Sequence, residues 1–219
     1  MNIGIIGAGN IGATLTRRLS ALGHNVSVAN SRGPETLRGL AEETGAKAVP
    51  VREAAHAGEV VVVTIPLGHV PDLPKGLFAD VPDSVVVVDT CNYYPQRDGR
   101  IDDILAGTTE SQWVERQIQR PVVKAFNNIR AQHLMERGRP AGSPNRIALP
   151  VAGDDGHAKQ IVMRLVDELG FDAVDAGPLS ESWRQQPGTP VYTTDQDTEG
   201  VRRALREATK ERRPEFRVA

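Results

Sequence analysis

Short apolar runs alternate with helix-like segments along the first 90 residues of the chain. Ile11, Leu15 and Leu19 fall on one face of a helix, and Gly23 marks its expected end. Val60–Val63 and Val85–Val88 are unbroken β-branched runs, which are typical of strands buried on both faces of a parallel sheet. The pattern predicts strands at Ile3–Ile6, Asn25–Ala29, Ala46–Val51, Glu59–Pro66 and Ser84–Thr90, with further helices at Pro34–Glu43 and Glu53–Ala57.

The second half of the chain alternates in the same way, although less regularly. It predicts strands at Val122–Phe126, Arg146–Ala152 and Ala173–Ala176, helices at Glu110–Gln119, Ala131–Arg137, Ala158–Leu169 and Glu199–Lys210, and loops at Gly138–Asn145 and Gly177–Asp197. This alternation predicts an α/β fold with a doubly wound, mainly parallel, Rossmann-like sheet. We expect a single domain over residues 1–184, followed by a short C-terminal loop and helix extension over residues 185–219.

Composition and charge narrow the class of protein. Hydrophobic residues make up 39% of the 219 residues, an ordinary share for a globular chain that excludes a disordered one. The formal net charge of −2 favours neither nucleic acid nor a membrane surface as a partner. No apolar run approaches the ~18 residues of a membrane span. The single cysteine fits a reducing compartment, so a cytoplasmic location is expected.

A glycine-rich turn lies between the first predicted strand and the first helix. Gly7-Ala8-Gly9-Asn10-Ile11-Gly12 is a G-x-G-x-x-G sequence. Its glycines suit a tight turn, close approach of a pyrophosphate and close packing of helix on sheet, in that order. Because the free N–H groups at the start of a helix attract phosphate, the turn predicts a dinucleotide site.

The end of the second predicted strand indicates which dinucleotide binds. An NAD site places an acidic residue there to bind the ribose 2′-hydroxyl, but this chain has Asn30-Ser31-Arg32 and no acid before Glu35. A serine hydroxyl and a guanidinium suit a 2′-phosphate, which a carboxylate would repel. We therefore predict NADP(H), while a solvated loop arginine stays open as the alternative for Arg32.

The chain resembles the family of F420-dependent NADP oxidoreductases, because four motifs occur in it in the same order as in that family. The motifs are the glycine turn, Asn30-Ser31-Arg32, Thr64-Ile65-Pro66-x-x-His69 and Asp175–Leu179. The stretch Val123–Asn128 is also similar to the cytoplasmic oxidoreductase domain of six-transmembrane ferric and cupric reductases, of the same superfamily. The resemblance implies an NADP-binding Rossmann domain that passes a hydride between nicotinamide and a deazaflavin or flavin ring. The cofactor-binding residues it predicts, together with the glycines of the turn, are Gly7, Gly9, Asn10, Ile11, Gly12, Ser31, Arg32, Thr64, Ile65, Pro66 and His69.

The sequence departs from the family where the second substrate is expected. Thr36 stands where the resemblance implies a further basic residue, so Arg38 would have to take the place of that residue. Asn127-Asn128 replaces a His-Thr pair, and the segment from Arg184 to Ala219 follows no pattern of the family. The acceptor is therefore left open among F420, a flavin and a metal chelate.

His69 and Asn127 are the predicted catalytic residues, and we expect both to act by positioning the reactants. Hydride transfer between two rings needs no obligatory side-chain acid or base, and the motifs contain no residue placed as an obligatory proton donor. Cys91 is interpreted as a small wall residue of the cleft because it lacks a second cysteine, and Tyr93 and Tyr94 either stack on a ring or pack a loop. The histidines are too dispersed for a metal site, so none is predicted.

Two other functions remain as alternatives. A β-hydroxyacid dehydrogenase or pyrroline-carboxylate reductase starts with a similar half but needs a long helical C-terminal domain, and only about 40 residues follow the last predicted strand. A non-catalytic NADP(H)-binding sensor is the second alternative. The basic stretch Arg202–Arg217 is a solvated helix face or a subunit contact, which leaves a homodimer open.

Overall fold

A computed structural model describes residues 1–211 and 214–216 of the chain. Within these residues, six parallel strands form one sheet in the order β3-β2-β1-β4-β5-β6. Two further strands form a separate parallel pair, β7-β8. The strands are β1 Asn2–Ile6, β2 Asn25–Ala29, β3 Lys47–Ala48, β4 Val60–Val63, β5 Val86–Asp89, β6 Val122–Lys124, β7 Ala148–Val151 and β8 Asp172–Asp175.

Helices cover both faces of the large sheet. They are α1 Asn10–Ala21, α2 Arg38–Thr44, α3 Val51–Ala55, α4 Pro95–Asp98, α5 Asp102–Leu105, α6 Glu110–Ile118, α7 Ala131–Glu136, α8 Gly156–Glu168 and α9 Thr198–Glu207, with 3₁₀ turns at Pro34–Leu37, Leu67–Asp72, Leu179–Gln185 and Pro214–Phe216. One hydrophobic cluster, which includes Leu15 and Leu19 of α1, lies on one face of the sheet. A second cluster, which includes Trp113 of α6, lies on the other. The doubly wound α/β fold expected from the sequence is confirmed.

The strand register brings the carboxyl ends of the strands to one edge. Ile6 at the end of β1 pairs with Ala29 of β2 and with Val63 of β4. Val63 pairs with Asp89 of β5, which pairs in turn with Lys124 of β6. The residues that directly follow these strands therefore share this edge, where open α/β sheets bind ligands.

Several predicted elements have different bounds in the structure. The predicted strand Ala46–Val51 keeps only Lys47–Ala48, because Pro50 precedes the first turn of α3. The predicted strand Glu59–Pro66 ends at Val63, and the predicted helix Glu199–Lys210 ends at Glu207. The segment Gly177–Asp197, predicted as a loop, contains a 3₁₀ turn.

The strands β7 and β8 do not extend the large sheet. Among the described residues, their backbone pairing with it is a single antiparallel bridge between Lys124 and Ala152, while Leu149 and Val151 share a hydrophobic cluster with the sheet. Pro150 within β7 has no N–H to donate, and the N–H of Val122 in β6 is 3.3 Å from Oε2 of Glu115. Both features limit backbone pairing between β6 and β7.

Among the described residues, the helices are all too short and too polar to cross a membrane. The division into residues 1–184 and an extension from residue 185 stays a prediction.

Candidate functional site

The glycine turn joins β1 to α1 with no room for side chains at two of its three glycines. Gly7 has a φ of 113°, and a Cβ there would lie 2.2 Å from the carbonyl oxygen of Thr64. A Cβ on Gly12 would lie 1.9 Å from the carbonyl oxygen of Gly7. These two glycines are therefore required by packing of the turn against α1 and the end of β4.

Gly9 differs from its two neighbours because a Cβ there would meet no protein atom within 4 Å. It precedes α1 as its N-cap residue, and among the described residues no side chain caps this helix end. The first N–H groups of α1 thus stay available to an anion, next to open space. Gly9 and Asn10 are exposed and Ile11 is half-buried, whereas the other two predicted contacts of this turn, Gly7 and Gly12, are buried.

The turn after β2 is organised by Asn30. Its Oδ1 accepts a hydrogen bond from the N–H of Arg32 at 2.9 Å, and its Nδ2 donates to Oγ1 of Thr36 at 2.9 Å. Ser31 and Arg32 are exposed, and the guanidinium of Arg32 contacts no hydrogen-bonding partner among the described residues. Thr36 is engaged inside the turn, whereas Arg38 at the start of α2 is exposed. Ser31 and Arg32 thus present a hydroxyl and a guanidinium directly after β2, and the first carboxylate along the turn is that of Glu35, which is also exposed.

The turn after β4 carries the predicted residues Thr64, Ile65, Pro66 and His69. Thr64 contacts the glycine turn, since its Cγ2 lies 2.8 Å from where a Cβ of Gly12 would be. The His69 side chain is 68% exposed, and its Nδ1 lies 2.8 Å from Oδ2 of Asp72. This contact holds the imidazole by one nitrogen and leaves Nε2 without a partner among the described residues.

The end of β5 is held by a buried ion pair. Oδ1 of Asp89 accepts from the N–H of Cys91 at 2.8 Å. Its Oδ2 accepts from the hydroxyl of Ser111 at 2.7 Å and from Nζ of Lys124. Burial, and then the charge of Asp89, raises the pKa of the Cys91 thiol well above its usual value. Cys91 is thus an inert thiol, in line with its interpretation as a wall residue.

The two tyrosines after β5 have different environments. Tyr93 is fully buried, and its hydroxyl donates to the carbonyl of Gly99 at 2.7 Å, so it packs a loop. Tyr94 is half-buried, and its hydroxyl is hydrogen-bonded to that of Tyr192 in the C-terminal extension. The guanidinium carbon of Arg97 lies 4.9 Å from the ring centre of Tyr94. Only Tyr94 is placed to border the cleft.

Asn127 follows β6 and lies inside a hydrogen-bond network. It comes after Phe126, which is buried and has a φ of 58°, a left-handed conformation that few non-glycine residues adopt. Its Nδ2 donates to Oδ1 of Asn92 at 3.0 Å and to the carbonyl of Gln185 at 2.7 Å. Its Oδ1 accepts from Nε2 of Gln185 at 3.0 Å. Asn127 is 4% exposed, so these contacts act within the protein.

The C-terminal extension packs over the end of β6. Besides the contacts of Gln185, the N–H of Thr193 donates to the carbonyl of Asn128 at 2.8 Å. Tyr192, next to Thr193, reaches Tyr94 at the end of β5. Sequence reasoning missed Gln185 and Tyr192 because they lie in a segment without periodicity. Their glutamine and tyrosine side chains carried no pattern of their own.

The N-terminal part of the chain resembles one known family. Residues 2–93 match the family model for NADP oxidoreductases, coenzyme F420-dependent. Over 92 residues, 42% of this chain, the sequence is 48% identical to the protein YjhV of Escherichia coli K12, and the match spans 60% of the length of YjhV.

Solved structures extend the likeness to most of the chain. A hypothetical protein, SMa0349 of Sinorhizobium meliloti, is 30% identical with a TM-score of 0.70, over 90% of this chain and 92% of that one. A protein of Arthrobacter sp. FB24, described as an F420-dependent NADP reductase, is 23% identical with a TM-score of 0.65, over 83% of this chain and 87% of its own. At 23% identity, the likeness to the Arthrobacter protein shows only that the two chains share a fold.

Proposed function

We propose that the chain, whose residues 2–93 match the family model for coenzyme F420-dependent NADP oxidoreductases, transfers a hydride between NADP(H) and a planar redox acceptor. F420, a flavin and a metal chelate are the acceptors proposed. The family itself supports the coarser statement that the chain is an NAD(P)-dependent oxidoreductase.

The open space at Gly9 is the observation that carries the proposal. Gly7 and Gly12 are needed by the packing of the protein itself, but nothing in the described residues requires glycine at position 9. A glycine there is explained by a ligand that approaches the backbone, and the uncapped start of α1 favours an anionic one. The pyrophosphate of a dinucleotide has this chemistry.

The turn after β2 supports NADP(H) over NAD(H). Ser31 and Arg32 would hold the 2′-phosphate, and Arg38 would stand in for the basic residue that Thr36 replaces. Asn30 keeps the turn in one conformation through its contacts with Arg32 and Thr36. Because the guanidinium of Arg32 is not engaged among the described residues, it need not break an existing contact to bind phosphate.

The residues after β4, β5 and β6 would then position the two reactants. NADPH, when bound, supplies the hydride, and the chain contributes binding and orientation, which alone can lower a barrier by ~7–11 kcal/mol. Thr64, Ile65 and Pro66 would border the nicotinamide half, and His69 would offer its Nε2 to a polar group of the cofactor. Asn127 would act indirectly, because its side chain holds Asn92 and Gln185 in place by hydrogen bonds.

A panel of acceptors tests this function. NADPH oxidation is followed at about 340 nm, the band of the reduced cofactor, with F420, FMN, FAD, quinones and ferric chelates. Binding of NADPH and NADP⁺ is measured in parallel by titration calorimetry. Turnover of one acceptor supports the oxidoreductase, whereas selective binding of one cofactor form without any turnover supports the sensor. Failure to bind either form would overturn the proposal.

We propose a cytoplasmic location and a small-molecule acceptor as the partner, with no nucleic acid and no membrane. A homodimer stays a proposal, which sedimentation of the purified chain tests directly.

A further inference from the structure

We propose that Asp98 is a positioning residue that locks the turn after β4 to the turn after β5. This inference rests on the proposed function, because those two turns would border the nicotinamide and the acceptor. Asp98 belongs to no motif of the sequence and ends α4, a helix of one turn.

The carboxylate of Asp98 is surrounded by donors from three places. Its side chain is 1% exposed. Oδ2 accepts from the N–H of Tyr94 at 2.8 Å, and the backbone N–H of Gly68 helps to hold the pKa of the carboxyl below its usual value. Nε and Nη2 of Arg97 donate to the two oxygens, each at 2.8 Å. Gly68 belongs to the turn that carries His69, and Tyr94 to the turn after β5.

The backbones of Gly68 and Asp98 also approach closely. A Cβ on Gly68 would lie 3.1 Å from both Cα and Cβ of Asp98, closer than nearly all such contacts. Glycine at position 68 therefore allows the two turns to meet, with the backbone of Gly68 packed against Asp98 and the carboxylate hydrogen-bonded to Tyr94 on the other side.

Arg97 extends this joint toward the end of β5. Its Nη2 donates to the carbonyl of Asn92 at 2.8 Å, and Asn92 in turn is hydrogen-bonded to Asn127 after β6. A continuous set of hydrogen bonds thus runs from Asp98, which packs on the turn after β4, to the residues after β5 and β6. Hydride transfer is sensitive to the spacing of its two reactants, and a misplacement of about 1 Å can cost ~100-fold in rate. A fixed spacing of these turns is the function that we assign to Asp98.

Two variants disturb the joint in different ways. Asp98→Asn removes the charge and places an amide against N–H donors. Gly68→Ala leaves all charges unchanged and requires Asp98 to move away from Gly68 by a few tenths of an ångström. Asp102→Asn is the matched control, because Asp102 pairs with Arg100 at 2.6 Å on the surface, where the side chains are 79% and 66% exposed.

Two readouts separate positioning from a purely local role. Hydrogen exchange should become faster at the amides of both Gly68 and Tyr94 in Asp98→Asn, and at neither in the control. With the best acceptor of the panel, both joint variants should lose ~10- to 100-fold in kcat while the Kd of NADPH changes less than about threefold. The double variant should be little worse than the worse single variant, because both changes break one joint.

Faster exchange at Tyr94 alone would make Asp98 a cap of its own helix and overturn the inference. Unchanged kcat in two folded variants that do exchange faster would overturn it as well. If the wild-type chain fails to bind NADPH, the proposed function fails, while the exchange experiment still decides whether Asp98 joins the two turns.

Discussion

The ammonium group of Lys124 lies 3.1 Å from the carboxylate of Asp89, and both side chains are fully shielded from solvent. Lys124 also donates to the carbonyl of Cys91, and the remaining oxygen of Asp89 accepts from the N–H of Cys91. The pair therefore fixes the residues after β5 to the end of β6.

Loss of one partner of this pair should strongly destabilise the protein. Lys124→Met leaves the carboxylate of Asp89 buried without its countercharge, which typically costs about 3–5 kcal/mol. The free energy of unfolding is measured with urea. Lys159→Met is the control, because Lys159 pairs with Asp175 at 2.8 Å where the aspartate is 55% exposed, and exposed pairs contribute about 1 kcal/mol or less. Equally small losses in both variants would contradict the importance of the buried pair.

Arg32→Ala should weaken NADPH far more than NADH. A charge-assisted hydrogen bond to the 2′-phosphate is worth about 1.5–3 kcal/mol, roughly ten- to a hundredfold in Kd. Wild type should accordingly prefer NADP(H) to NAD(H) by at least about tenfold. Titration of both cofactors checks this, with Arg164→Ala, an exposed arginine of α8, as the control. Equal losses for the two cofactors would mean that Arg32 does not contact the 2′-phosphate.

Gly9→Val and Gly12→Val should differ in their effect on folding. The side chain at position 9 enters open space, so Gly9→Val should fold with an unchanged far-UV circular dichroism spectrum but lose NADPH binding. The side chain at position 12 would clash with Gly7, so Gly12→Val should fail to fold stably. Retained micromolar binding in folded Gly9→Val would show that the cofactor does not use this turn.

His69→Ala and Asn127→Ala should each lower kcat by roughly ten- to a hundredfold, less than the ~10³ expected for a dedicated acid or base. Asn127→Ala should also lose stability, by about 1–3 kcal/mol, because it leaves buried groups of Gln185 and Asn92 unpaired. Steady-state kinetics across pH and urea unfolding measure the two effects. Complete loss of turnover in His69→Ala, together with loss of one limb of the pH profile while NADPH still binds, would make His69 an acid–base catalyst.

Asp98 should contribute to stability above acidic pH. Burial alone would raise the pKa of its carboxyl, but the guanidinium of Arg97 and the N–H groups of Tyr94 and Gly68 outweigh burial and lower it. Since the pKa is lower in the folded state than its value of about 3.9 in the unfolded chain, the contribution is present above about pH 4 and is lost as the pH falls through the folded pKa. The midpoint of urea unfolding should therefore fall less steeply with decreasing pH in Asp98→Asn than in wild type. An equally steep fall in both would show that other carboxyl groups cause it.

The sequence by itself determined the type of sheet and the place of the glycine-rich turn. Unbroken valine runs such as Val60–Val63 specify strands buried on both faces, and the spacing of Gly7, Gly9 and Gly12 specifies a tight turn after the first strand of the sheet. Both are local patterns, so a single sequence contains them. The bounds were less well predicted where a proline changed the backbone, as Pro50 does after β3.

Only the tertiary structure decided which side chains meet at the cleft. Asn127 and Gln185 are 58 residues apart, and Tyr94 and Tyr192 are 98 apart. Neither pair has a periodicity that a sequence pattern can show. Their contacts depend on strand register, on the path of the C-terminal extension and on the approach of Gly68 to Asp98. The same holds for β7 and β8, which looked like continuations of the sheet but form a pair of their own. Periodicity determines which face of an element is buried, while the packing of distant elements determines the partner that each polar group finds.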